Sequence, residues 1–77
     1  MTRLEVTFNG TNTYIEEAIL QNRQVVEVYL DGVGRSRILT SGTPTGQEAL
    51  YLAATGRVAF PLVPEQGTQI VVLYQNL

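Results

Sequence analysis

Residues 68–74, Thr68-Gln69-Ile70-Val71-Val72-Leu73-Tyr74 (TQIVVLY), hold an uncharged run of five consecutive apolar residues, Ile70 to Tyr74. Ile70, Val71 and Val72 are β-branched, Tyr74 is aromatic, and Gly67 stands just before the run as turn punctuation, so the stretch reads as a strand. Successive side chains of a strand point to opposite faces. Ile70, Val72 and Tyr74 therefore share one face, and Val71 and Leu73 the other. A strand that is apolar on both faces needs cover on both. Either the chain's own second sheet covers the Val71–Leu73 face, or another chain does. Val71 and Leu73 are the first candidates for an intermolecular contact.

The same period of two runs outward from this strand. Residues 3–8 alternate, with Leu4, Val6 and Phe8 inward and Arg3, Glu5 and Thr7 outward, and Asn9-Gly10 ends them as a turn. Residues 24–30 place Val26, Val28 and Leu30 inward against Val25, Glu27 and Tyr29 outward. Asp31-Gly32 then predicts a tight hairpin, with Gly34 allowing a bulge or longer loop. Arg35 to Thr40 is expected as the returning strand, and residues 42–46 (GTPTG) as a loop. Glu48 to Ala53 and Arg57 to Phe60 read as a second hairpin across Thr55-Gly56, while Pro61, Pro64 and Gly67 interrupt pairing before the last strand. Residues 13–22 admit two readings. Thr13 and Glu16 fit a capping box opening a short helical turn, yet Tyr14, Glu16, Ala18 and Leu20 also alternate as a strand would. The expected fold is all-β: one domain over residues 1–77, a small antiparallel sandwich or barrel of about six to seven strands.

Composition narrows the chemistry. The 77 residues are 44% hydrophobic, enough for a globular core, and contain no Cys, His, Trp or Lys. Disulfides, His or Cys metal ligation, thiol nucleophiles, imidazole bases and Schiff-base lysines are absent with them. No catalytic residue, cofactor-binding residue or metal ligand is assigned, and a non-enzymatic protein is expected. Ser36 and Ser41 have no basic partner type in the chain. Glu16 and Glu17 are neighbours that diverge on a strand or a helix. Asp31 is the only Asp, so no oxygen-rich calcium loop is present. Gly32-Val33-Gly34 and Gly42–Gly46 lack the residues of nucleotide-binding loops and read as turn glycines.

Charge is also unevenly spread. Seven acids oppose five arginines for a net charge of −2, and residues 1–37 carry nine of these twelve side chains. No basic footprint points to nucleic acid, and no apolar run approaches the ~18–20 residues of a membrane helix. Neither nucleic acid nor membrane is an expected partner. Arg35 and Arg37 would share one strand face and could hold a carboxylate of a partner. A chain of this size builds a small core, so self-association or docking on a larger body is expected.

Two segments, Val26 to Val33 (VEVYLDGV) and Gly56 to Tyr74 (GRVAFPLVPEQGTQIVVLY), carry a resemblance. The pattern V-x-V-x-x-[DN]-G followed by F-x-x-x-P-x-x-G-x-x-I-x-V-x-Y resembles small β-rich virion modules of tailed bacteriophages, found in fibres, tail appendages and head-decorating proteins. Val26, Val28, Asp31, Gly32, Phe60, Pro64, Gly67, Ile70, Val72 and Tyr74 are the matching positions, spanning about 49 residues. The resemblance implies a structural role in a virion assembled in the host cytoplasm. Its implied partners are a major capsid or tail protein and further copies of the chain, a homo-oligomer. The short Met-initiated chain makes a separate head-decorating or minor capsid protein the expectation over a fibre segment. A small cellular β-barrel adaptor or ligand-binding domain is the alternative, to be marked by a concave site built from some of Tyr14, Tyr29, Tyr51 and Tyr74. From the charge balance, filter binding at physiological salt should retain no DNA or RNA. Micromolar retention that falls steeply with added salt would contradict that expectation.

Overall fold

The computed structural model describes residues 1–76. Its strands are β1 (Thr2–Thr7), β2 (Tyr14–Glu16), β3 (Arg23–Leu30), β4 (Val33–Gly34), β5 (Arg37–Leu39), β6 (Glu48–Leu52), β7 (Arg57–Ala59) and β8 (Gln69–Asn76). They form two four-stranded sheets, ordered β1-β8-β3-β4 and β2-β7-β6-β5, in an all-β sandwich. The first contains the apolar strand β8 as a central member, paired antiparallel to β1 on one edge and to β3 on the other. Eight strands are present among the described residues where the sequence suggested six to seven. The strand beyond the seven is β4, a piece of two residues that carries too little periodicity to be seen.

The core lies between the sheets. Ile70, Val72 and Tyr74 of β8 and Val28 of β3 meet Ile15, Ala49, Tyr51 and Val58 of the second sheet, with Phe8, Leu20 and Phe60 arriving from the connections. Burying one such side chain is worth roughly 1.5–3 kcal/mol. The Tyr51 hydroxyl accepts a hydrogen bond from the Arg23 N–H at 3.0 Å and donates toward the carbonyl oxygens of Arg23, at 2.8 Å, and Leu20. That hydroxyl ties the second sheet to the entrance of β3. A buried hydroxyl would be costly without such partners.

Turn chemistry follows the sequence closely at the first hairpin. Leu30 pairs with Val33 across Asp31-Gly32, and both turn residues have positive φ, 48° and 83°, the geometry of a type I′ turn. The Asp31 carboxylate accepts from the Gln69 N–H at 2.8 Å, and its own N–H donates to the Gln69 carbonyl at 2.8 Å. The hairpin tip thus grips the first residue of β8.

Three expectations need correction. Val26 does not pack inward: the β3–β8 register slips between Val25 and Glu27, a β-bulge, and Val25 takes the core-facing position with Val28 and Leu30. An extra residue in a strand shifts the alternation by one, and a strict period of two misses it. The segment Arg35–Thr40 does not return along β3. Pairing stops after Gly34; the Arg35 N–H donates to the Val28 carbonyl and the Ser36 N–H to the Gln47 carbonyl, carrying the chain into the other sheet. There β5 runs parallel to β6, an exception to the antiparallel pattern, with Pro44 buried in the link between them. Glu48 closes that link, accepting from the Thr45 N–H at 3.0 Å. Residues 13–22, for their part, contain both candidate elements in sequence. β2 comes first, followed by a 3₁₀ turn at Ala18–Leu20. No Thr13–Glu16 capping box forms; Glu16 pairs instead with Arg57 at 2.9 Å.

Gly56 is the tightest backbone position. Its φ is 74°, its carbonyl accepts from the Glu17 N–H at 3.0 Å, and a Cβ there would stand 2.1 Å from the Glu17 carbonyl oxygen. At Gly32, also at positive φ, the space a Cβ would enter is open. Gly32→Ala should therefore cost only the left-handed backbone penalty, roughly 1–2 kcal/mol in urea denaturation. Gly56→Ala adds a clash with fixed backbone and should lose about 3 kcal/mol or more. Equal losses would show that the contact between the Gly56 turn and Glu17 is not a tight one.

Candidate functional site

Alternation along β8 leaves Val71 and Leu73 on the outer face of the first sheet, each half-buried. Register fixes their neighbours. Leu73 lies between Arg3 of β1 and Glu27 of β3, and Val71 between Glu5 and Tyr29. Beyond Tyr29, Gly34 of β4 contributes no side chain. The face is thus a short apolar strip with long polar and aromatic side chains on both flanks. Those flanks, and no second layer, account for the partial cover of Val71 and Leu73. Arg3, Tyr29, Gly32, Val71 and Leu73 line a shallow depression of about 280 Å³ on it.

Electrostatics on this face are mixed in sign. Arg3 pairs with Glu5 at 2.6 Å, both well exposed, which contributes little to stability. On the β3 flank of the strip the Tyr29 hydroxyl donates to the Glu27 carboxylate, and that hydrogen bond holds the phenol above its ordinary pKa.

Of the other site candidates, Arg35 and Arg37 are not brought together on one strand. Arg37 opens β5 and reaches Glu48 at 3.6 Å. Arg35 lies in the crossover between the sheets and lines a separate pocket with Leu30, Phe60 and the Pro61–Pro64 loop. Its Nε is buried without a hydrogen-bond partner. Sequence reading missed this loop as a surface. The available signal was Leu62-Val63, two large apolar residues between prolines in a segment otherwise made of turn residues.

The four tyrosines do not converge. Tyr74 is buried in the core, Tyr29 sits on the outer face, and Tyr14 stacks under the Arg57 guanidinium, 3.8 Å from its ring centre. Tyr51 alone borders a larger cleft, about 510 Å³, together with Val25, Ile38, Leu52 and Ala53, and with Arg23 and Thr40 at the same opening. Among the described residues no cluster of three His, Cys, Asp or Glu side chains could hold a metal ion, and no helix is long and apolar enough to cross a membrane. A scan against protein-family models, a search of curated proteins and a search of solved structures each found no match.

The Tyr29–Glu27 bond gives this face a spectroscopic handle. In an NMR titration Tyr29 should ionise above the ordinary value near 10, and Glu27→Gln should bring its midpoint down. An unchanged midpoint would mean that the two side chains do not meet along β3.

Proposed function

We propose that this chain is a non-enzymatic structural protein of a phage particle, binding the capsid shell or tail, and itself, through the outer face of its first sheet. The observation that carries the reading is the position of Val71 and Leu73. They lie at the middle of a sheet face over which no other layer of the described residues passes. The phage assignment rests on the sequence resemblance, whose positions fall largely in the core and turns.

The chemistry of the face suits a second copy of the same surface. A two-fold contact would set the Val71–Leu73 strip against itself and let Arg3 of each copy approach Glu5 or Glu27 of the other. The energy available is modest. Full burial of both apolar side chains gives a few kcal/mol at ~1.5–3 each, and part of that is already realised within the monomer. Association costs at least ~4 kcal/mol in lost freedom. One such contact is weak, whereas an array of them on a particle gains by multivalency. A head-decorating or minor capsid role meets that condition.

A small cellular adaptor or ligand-binding domain is the second reading, favoured by the apolar cleft of about 510 Å³ beside Tyr51. Ligands for that cleft would perturb Val25, Ile38 and Leu52 rather than the outer face.

Val71→Glu and Leu73→Glu test the proposal. Both positions face away from the core, so circular dichroism should show a folded protein in each. Sedimentation should show self-association weakened by about tenfold or more, equivalent to ~1.4 kcal/mol. Unfolding of both variants, with unchanged assembly of whatever stays folded, would make these core positions and place the interface elsewhere.

A further inference from the structure

Four of the five arginines are engaged. Arg3, Arg37 and Arg57 pair with Glu5, Glu48 and Glu16, and Arg23 donates to the Ile19 carbonyl at 3.2 Å and to the Asn76 side chain. Arg35 stands apart. Among the described residues its side chain makes no ion pair and no hydrogen bond, and its Nε is shut off from water. A guanidinium donor held out of water without an acceptor is unfavourable, and native structures rarely leave one so. The remaining guanidinium nitrogens are the accessible donors, and partial desolvation strengthens their attraction for an opposite charge.

The surroundings specify what that charge is attached to. Arg35 shares a pocket of about 200 Å³ with Leu30, Phe60, Pro61, Leu62, Val63 and Pro64. Small-molecule sites usually run to ~300–1,000 Å³. This one takes a single side chain. Leu62 is 79% exposed and Val63 49%, which puts an apolar ledge at the pocket's edge. Pro61 and Pro64 bracket the ledge and restrict its backbone, so it is offered in a nearly fixed shape.

We propose that Arg35 and the Pro61–Pro64 loop form a docking pocket for an extended segment of a partner protein. An Asp or Glu side chain of that segment bonds to the Arg35 guanidinium, and a neighbouring branched aliphatic side chain packs on Leu62 and Val63. Charge complementarity chooses this occupant: the pocket offers one unpaired cation and apolar walls, and a carboxylate is the planar acceptor that a guanidinium fork matches. The pocket is distinct from the Val71–Leu73 face and does not depend on the reading of that face.

The test uses the isotope-labelled chain and two peptide probes, acetyl-Leu-Glu-Leu-amide and its Gln counterpart, which differ only in charge. Saturable NMR shifts at the Arg35 side chain and the Leu62 and Val63 methyls are expected with the Glu peptide, in the millimolar range. They should vanish with the Gln peptide and with Arg35→Met, and persist in Val71→Glu. Because Arg35 has no internal partner, Arg35→Met should melt at the same temperature as the parent chain or higher. Equal shifts with both peptides, shifts spread over all five arginines, or no saturable shift would overturn the proposal. So would an Arg35→Met variant that melts several degrees lower, since the guanidinium would then have an internal role.

Discussion

Two-sided pairing of β8 is the constraint on which the rest depends. Its register to β1 runs from Thr2↔Tyr74 to Thr7↔Gln69, and its register to β3 spans Arg23↔Asn76 to Leu30↔Ile70. The last strand thereby joins the first to the third, and every other element is placed relative to it. Because the side-chain period is two, a slip of one residue would move Ile70, Val72 and Tyr74 out of the core and put Val71 and Leu73 in. Both ends of the strand are held against such a slip. Asp31 makes two hydrogen bonds to Gln69 at one end, and Gln24 and Gln75 bond side chain to side chain at the other. The outer strip exists because this register is fixed.

Much of that arrangement was legible because it depends on local alternation and turn chemistry. The inward set of β8, the β1 strand and the Asp31-Gly32 turn are all written in neighbouring residues. The failures share a different cause. The bulge that exchanges Val26 for Val25 is one unpaired residue, and nothing in a run of valines marks where pairing skips. The passage of Arg35 and Ser36 from one sheet to the other is decided by the carbonyls of Val28 and Gln47, distant in the chain. Residues 13–22 looked ambiguous because they hold a strand of three residues and a helical turn of three, each too short for a periodic signal.

The candidate surfaces divide in the same way. Val71 and Leu73 were visible as a face in the sequence, since their orientation follows from the inward residues on either side of them. Arg35 and Arg37 were visible as residues, but their assignment to one strand assumed a hairpin that the chain abandons after Gly34. The structure separates them: Arg37 to an ion pair with the half-buried Glu48, and Arg35 to a pocket whose other wall, Pro61–Pro64, lies far along the chain. A pocket assembled from two loops has no sequence signature of its own.

The account's central claim is that one strand serves the core with one face and a neighbour with the other. Solvent paramagnetic relaxation measured on methyl resonances as a function of protein concentration tests this most directly. In dilute solution a soluble relaxation agent should reach Val71 and Leu73 while leaving Ile70 and Val72 protected. As concentration rises, Val71 and Leu73 should lose that exposure together. Val71 and Leu73 methyls that stay equally accessible at every concentration, or that are shielded even in the dilute monomer, would contradict the account.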